Sequence, residues 1–233
     1  MRQISFITIH PKIIEAYKVF GVFRSAESKA IASTFAIDLR DYAADKHGSV
    51  DDAPYGGGDG MVLRPDCLNQ ALEAARAKIG VEKSIKVIST SPTGKLWTQE
   101  VAKQLSNSND SVVFICGRFA GADQRFLDSC VDEEYSLGDV IYAGGELPAL
   151  LMAESFLRLV PGVLGDEQSA IEDSFGIGLQ GLLEYPSYTR PAEWQGQKVP
   201  DILLSGDHKA IREWRLAQST IKTRERRPDL LKK

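Results

Sequence analysis

Residues Phe114 to Gly121 read "FICGRFAG", where the end of an apolar run, "SVVFIC" from Ser111 to Cys116, stops at a loop of small residues. A short β-branched and aromatic run of this length reads as a buried strand. Two other stretches have the same form: "VISTSPTG", Val87 to Gly94, and "IYAGGELP", Ile141 to Pro148. Strands are expected at Ile85–Ser89, Ser111–Cys116 and Asp139–Ala143, separated by helical stretches such as "LWTQEVAKQL" and "DQRFLDSCV". Strands spaced by helices imply an α/β protein with a mostly parallel sheet covered on both faces. Ligands of open parallel sheets bind at the carboxyl ends of the strands, so one pocket built from all three loops is the economical expectation. Tight turns and nothing more are the alternative at each loop taken alone.

Working outward, Ile4 to Ile9 reads as a strand, followed by a helix in "PKIIEAYKVFG" that ends at Gly21. The clearest helix is "RPDCLNQALEAARAKIG", with Pro65 in its first turn, Leu68, Ala71, Leu72, Ala75 and Ile79 on one face, and Gly80 as its cap. "LPALLMAESFLRLVPG" is apolar nearly all round, hence a buried helix ended by Pro161 and Gly162. Residues 164 to 175 carry acidic and small residues without a period and read as a mobile connection. Beyond it, residues 176 to 233 form a small helical domain, in which Asp207 is an N-cap and Ile211, Trp214, Gln218 and Ile221 recur at helical spacing. The expected organisation is a first domain over 1–163, a linker over 164–175 and a helical domain over 176–233.

The 233 residues, 43% of them hydrophobic, are enough for a buried core. No apolar run is long enough to span a membrane, and the N-terminus alternates like a strand, so neither insertion nor secretion is expected. Cys67, Cys116 and Cys130 are widely spaced and lack a CxxC pair, which fits a reducing cytoplasm and gives no support to a disulfide framework or a zinc site. The net charge of -4 is uneven. From Lys222 to Lys233 six basic residues face two acidic ones, a surplus of +4 that leaves -8 for residues 1 to 221. That asymmetry points to a polyanion partner or to a solvated basic tail.

The glycine-rich stretch "DDAPYGGGDGMV", Asp51 to Val62, fits no phosphate motif: there is no GxxxxGK, and no GxGxxG between a strand and a helix. Backbone donors and acceptors in Gly and Ser loops suit the edge of an adenine and the hydroxyls of a ribose.

"DDAPYGGGDGMV", "CGRFAGADQR", "DEEYSLGDVIYAGGELPAL", "LRLVPGVLG", "IEDSFG", "LLEYPSYTRP" and "LLSGDHKAIREWR" follow one another in order. Together they resemble the bacterial tRNA (guanine-N1)-methyltransferase family of the knotted SPOUT class, from about Ile4 to Leu231. The resemblance implies an α/β domain with a deep trefoil knot, a homodimer, and transfer of a methyl group from S-adenosylmethionine to N1 of the guanosine 3′ of the anticodon, guanosine 37. It implies cofactor binding at Ser89, Thr90, Ser91, Pro92, Thr93 and Gly117, and over Ser136, Leu137, Gly138, Asp139, Val140, Ile141 and Tyr142, with Gly144, Gly145 and Pro148. Asp173 in "IEDSF" matches the family's general base, and Arg158 in "FLRLVPG" the arginine that assists it. On the residues alone, Glu154 and Arg158 also read as a helical ion pair, and Asp173 as an N-cap before Ser174.

For tRNA, the resemblance points to Gly57 and Gly58 beside the target guanosine, where Asp51 or Asp52 can hold a base or an arginine. Tyr188, Thr189, Arg190, His208, Arg212, Arg215, Arg226 and Arg227 offer aromatics and cations to RNA. Guanine N1 is protonated and a poor nucleophile, whereas a sulfonium methyl is already activated, so one base and good positioning suffice. Two departures stand out. Ala120 replaces a glutamate usual in "GRYEG", and Val140 an aromatic usual after "GD", which puts magnesium dependence and cofactor affinity in question. They leave two other readings open: an RNA-binding protein impaired in catalysis, and a SPOUT enzyme of ribosomal RNA.

Overall fold

The structure, a computed structural model, describes every residue except 44, 81, 167–170 and 233. It divides into two compact units, Met1–Gly165 and Asp166–Lys233. The middle of the expected linker, residues 167–170, lies outside the described residues.

In the first unit, strands β1 (Arg2–Thr8), β2 (Ala32–Asp38), β5 (Ile85–Leu96), β6 (Ser111–Cys116) and β7 (Glu133–Ser136) make one sheet in the order β2-β1-β6-β5-β7. All four pairings are parallel. The alternation of a pleated strand sends Ile4, Phe6, Val112 and Phe114 to one face, and Ile7, Val113 and Ile115 to the other. Helices α1 (Pro11–Tyr17), α2 (Gly21–Ser28), α4 (Gln99–Asn107) and α6 (Glu146–Leu157) bury residues in the first face's core; α3 (Pro65–Ile79) and α5 (Gln124–Cys130) bury theirs in the second. This double cover is why the central strands read as unbroken apolar runs.

Two expectations need correction. Gly21 does not end the first helix: α1 stops at Tyr17, and Gly21, at φ +51°, opens α2. The edge strand is not Asp139–Ala143 but "EEYS", Glu133–Ser136. The apolar run that looked like a strand leaves Val140, Ile141 and Tyr142 exposed along a cleft, whereas the sheet edge tolerates the acidic residues.

A two-residue antiparallel ladder, β3 (Asp51–Asp52) with β4 (Val62–Leu63), clasps the base of the glycine loop. In the second unit a small hairpin, β8 (Glu193–Trp194) with β9 (Gln197–Lys198), precedes a helical turn at Asp201–Leu204 and a long helix, His208–Arg226. Asp207 caps that helix by accepting from the N–H groups of Lys209 (3.0 Å) and Ala210 (3.1 Å). Its inward side is Ile211, Trp214, Ser219 and Thr223, and Ile221 is exposed instead.

Candidate active site

The cleft lies at the carboxyl ends of β5, β6 and β7. Thr90 pairs with Tyr135, but the next pair in register is Lys95 with Tyr135, so Ser91–Gly94 loop out of the ladder. Gly94 sits hard against β7, where a Cβ would come 2.6 Å from the Glu134 carbonyl carbon. The loop after β6 is tied on both sides: the Gly117 N–H donates to Thr90 Oγ1 at 3.3 Å, and its carbonyl accepts from the Gly145 N–H at 2.7 Å. Only glycine fits these crossings, since a Cβ on Gly117 would lie 2.8 Å from the Thr90 carbonyl oxygen, and one on Gly145 2.6 Å from the Gly117 nitrogen. The three small-residue loops therefore form one wall.

They enclose about 450 Å³, within the range of small-molecule sites, ~300–1,000 Å³. Fourteen of the sixteen residues expected at a cofactor line this cleft: Ser89 to Thr93, Gly117, Ser136, Leu137, Val140 to Tyr142, Gly144, Gly145 and Pro148. Gly138 and Asp139 do not, although the Gly138 N–H donates to Ser136 Oγ at 3.2 Å, holding the loop's turn. Leu137, Val140, Ile141 and Pro148 offer apolar surface beside main-chain groups and hydroxyls, a donor set that suits a planar base with a ribose. Tyr135 meets Trp97 edge-on at 5.0 Å, and burial, with Glu133 adding to it, holds its phenol above the usual range. Beneath the cleft, burial and then the Glu146 carboxylate push the Cys116 thiol well up, which makes it inert.

The glycine loop is fastened to the same wall. The Leu63 N–H donates to the Gly121 carbonyl (2.9 Å), the Ala120 N–H to the Met61 carbonyl (2.9 Å), and the Asp123 N–H to the Leu63 carbonyl (3.0 Å). Gly56, Gly57 and Gly58 have φ of +89°, +79° and +118°, conformations that side chains resist, and none has protein within contact distance of a Cβ. Beside them Tyr55 is 98% exposed. Periodicity does not mark Tyr55, a large aromatic whose ring the protein leaves uncovered. Arg118 was also missed, and it faces the cleft. Among the described residues no group of three or more His, Cys, Asp or Glu is placed to hold a metal ion.

Arg158 is the C-cap of α6 in the first unit and is half-buried. Glu154, four residues before it, accepts a hydrogen bond from the Tyr17 hydroxyl, which raises the phenol's pKa. Asp173, half-buried, belongs to the second unit. No helix starts at Ser174; the Asp173 carbonyl accepts from the Gly176 N–H at 2.9 Å in a turn whose Phe175 has φ +68°. The Ser174 hydroxyl instead donates to Glu184 (3.2 Å) and accepts from its N–H (3.0 Å).

The second unit carries its own cleft of about 460 Å³. Tyr188, Thr189, Arg190 and Arg215 line it, over apolar Val199, Leu203 and Ile211. The Arg215 guanidinium lies over the Tyr185 ring at 4.7 Å, and Tyr188 leans on Trp214 at 6.4 Å. His208 opens the long helix. Arg224 and Arg226 sit in its last turn, where they also complement the helix dipole. Arg227 pairs with Asp229 at 2.7 Å.

A parallel α/β sheet with its ligand cleft between closely crossing loops, followed by a helical unit with an aromatic and cationic cleft, is the architecture that the resemblance to SPOUT methyltransferases implies. The family described as tRNA (Guanine-1)-methyltransferase TrmD matches residues 1–233. The chain is 44% identical over 230 residues to the tRNA (guanine-N(1)-)-methyltransferase of Bacillus subtilis (strain 168), covering 99% of this chain and 92% of that one. It is 45% identical over 231 residues to the protein of the same name from Anaeromyxobacter sp. (strain Fw109-5), and 42% identical over 231 residues to that from Staphylococcus carnosus (strain TM300), covering 99% of this chain and 91% of each relative. The chain belongs to the tRNA (guanine-N1)-methyltransferase family, and it is an enzyme of that type. These relatives are named for tRNA, which removes the support for a ribosomal RNA substrate.

Proposed function

We propose that this chain transfers the methyl group of S-adenosylmethionine to N1 of guanosine 37 in tRNA. The supporting observation is the convergence of three strand-end loops on one cleft in a member of this family. S-adenosylmethionine bound there supplies an already activated methyl group. Leu137, Val140, Ile141 and Pro148 hold the adenine face, and the Ser89–Thr93 loop and the main chain at Gly117 meet its polar edges.

In this reading Asp173 accepts the N1 proton of the guanosine, turning the ring nitrogen into a nucleophile. Arg158 binds the guanine oxygen as negative charge develops there. Gly57 and Gly58 let the RNA backbone approach, and the target base is turned out of its stack to reach the methyl group. Tyr188, Arg190, His208, Arg215, Arg226 and Arg227 hold the tRNA. The acting form is a cytoplasmic homodimer in which Asp173 of one subunit serves the cleft of the other; Leu147 and Leu151, one turn apart on α6 and 54% and 48% exposed, offer an apolar stripe for such an interface.

Incubation with labelled S-adenosylmethionine and unmodified tRNA carrying guanosine 37 tests the activity, with N1-methylguanosine at that position as the expected product. Its absence overturns the reading, and a monomer by light scattering at working concentration overturns the shared site.

A further inference from the structure

Among the residues lining the strand-end cleft, Arg118 is the sole lysine or arginine and Glu134 the sole carboxylate. Arg118 is held from behind. Its Nη1 donates to the Ala143 carbonyl at 2.8 Å and lies 3.8 Å from Glu146 Oε2. Glu146 is 2% exposed, and its Oε1 accepts from the buried Thr8 hydroxyl at 2.8 Å. A carboxylate withdrawn from water is costly unless it is paired and hydrogen-bonded. Here one carboxylate joins the end of β1, the loop after β6 and the first turn of α6. Gly144 completes the arrangement, because a Cβ there would run into both the Arg118 Nη1 and the Glu146 Oε2. The guanidinium side chain remains about a quarter exposed.

We propose that Arg118 receives the carboxylate at the amino-acid end of S-adenosylmethionine, and that Glu146 is a positioning residue that fixes the guanidinium for it. The inference rests on the reading of this cleft as the cofactor site. Within it, the other lining residues offer main chain, hydroxyls, the Gln124 amide, apolar surface and the Glu134 carboxylate, none of which neutralises a carboxylate. A planar guanidinium meets a carboxylate with two parallel hydrogen bonds, and an arginine already anchored through one nitrogen loses less freedom in doing so. Ala120, two residues on, adds no competing acid.

Calorimetric titration separates this role from a structural one, using S-adenosylmethionine and its decarboxylated analogue, which keeps the sulfonium and the amine. The wild-type protein binds the intact cofactor more tightly than the analogue. Arg118→Gln weakens the intact cofactor roughly 10- to 100-fold, the worth of a hydrogen bond between charged groups, and leaves the analogue within about twofold. Glu146→Gln shifts the same preference by less, with the melting temperature of each variant reporting its fold. Should Arg118→Gln not fold, Arg118→Lys carries the test, keeping the charge without the fork and losing part of the preference. Equal weakening of both ligands, or of neither, overturns the role of Arg118 and leaves the cofactor cleft standing. A wild-type protein that binds neither removes the reading of the cleft itself.

Discussion

The Gly145 N–H donates to the Gly117 carbonyl at 2.7 Å, tying the loop that follows β7 to the loop that follows β6. At this crossing a Cβ on Gly145 would meet the Gly117 nitrogen at 2.6 Å as well as Thr90 Oγ1. The first of these is backbone and has nowhere to go. Gly145→Ala therefore parts the two loops, and S-adenosylmethionine binding is expected to fall at least tenfold by calorimetry while tRNA binding through the second unit changes little. Unaltered cofactor affinity would mean the crossing gives way without cost.

Asp173→Ala removes the proton acceptor of the proposed reaction but no residue of the strand-end cleft. Its turnover is expected to drop roughly 100- to 10,000-fold, the usual worth of general base catalysis, with S-adenosylmethionine affinity within about twofold of wild type. Single-turnover methylation measures the first and calorimetry the second. Near-normal turnover would reassign the base.

Tyr188→Ala and Arg215→Ala strip the cleft of the second unit, where Tyr185 and Arg215 stack. Stacking on one base is worth about 1–3 kcal/mol, so tRNA affinity is expected to fall roughly 5- to 150-fold for Tyr188→Ala. Arg215→Ala should also flatten the dependence of affinity on salt, because fewer counterions are released. Filter binding across a salt series reads both, and an unchanged affinity in either variant removes this cleft from the RNA surface.

Asp123 caps α5: its carboxylate accepts from the Arg125 N–H at 2.9 Å and pairs with the Arg125 guanidinium at 2.8 Å. The Arg125 side chain, followed by the backbone bond, holds the Asp123 carboxyl below the usual carboxylate range. A depressed folded value contributes stability that is fully present above the unfolded value, near pH 4, and is lost as the pH falls through the folded one. Asp123→Ala is expected to lower stability by about 1 kcal/mol at neutral pH, and the gap to wild type should shrink as the pH falls below about 4. Urea midpoints from pH 7 down to pH 3 check the sign, and a gap that widens in acid would contradict it.

Much of the sheet could be read from residue periodicity because β5 and β6 are buried on both faces, and apolar runs ending in small residues have few other uses. β7 escaped for the opposite reason. It is an edge strand, and its "EEYS" lacks any apolar signal, while the neighbouring "DVIYA" spends its apolar side chains on a cleft. β2 and α2 went unmarked because "ASTFAID" alternates weakly and Gly21 reads equally well as a stop or a start. At the candidate site, glycines at the loop crossings were visible as composition, yet which backbones they admit depends on contacts between residues some 27 and 28 apart, such as Thr90 with Gly117 and Gly117 with Gly145. Arg118 was hidden by its company, since one arginine among glycines shows nothing of the buried Glu146 behind it.

Ala120 sits where two walls meet. Its N–H holds the Met61 carbonyl, and its methyl group faces Gly60, where a Cβ would lie only 3.7 Å away. Ala120 lines the strand-end cleft and also borders the glycine loop, so side-chain bulk added at this one position would lie against both. A synthetic inhibitor grown from an adenosine-like core in that cleft could extend an arm past the alanine methyl toward Gly60, and a glutamate introduced at residue 120 is expected to oppose that arm while leaving the core in place.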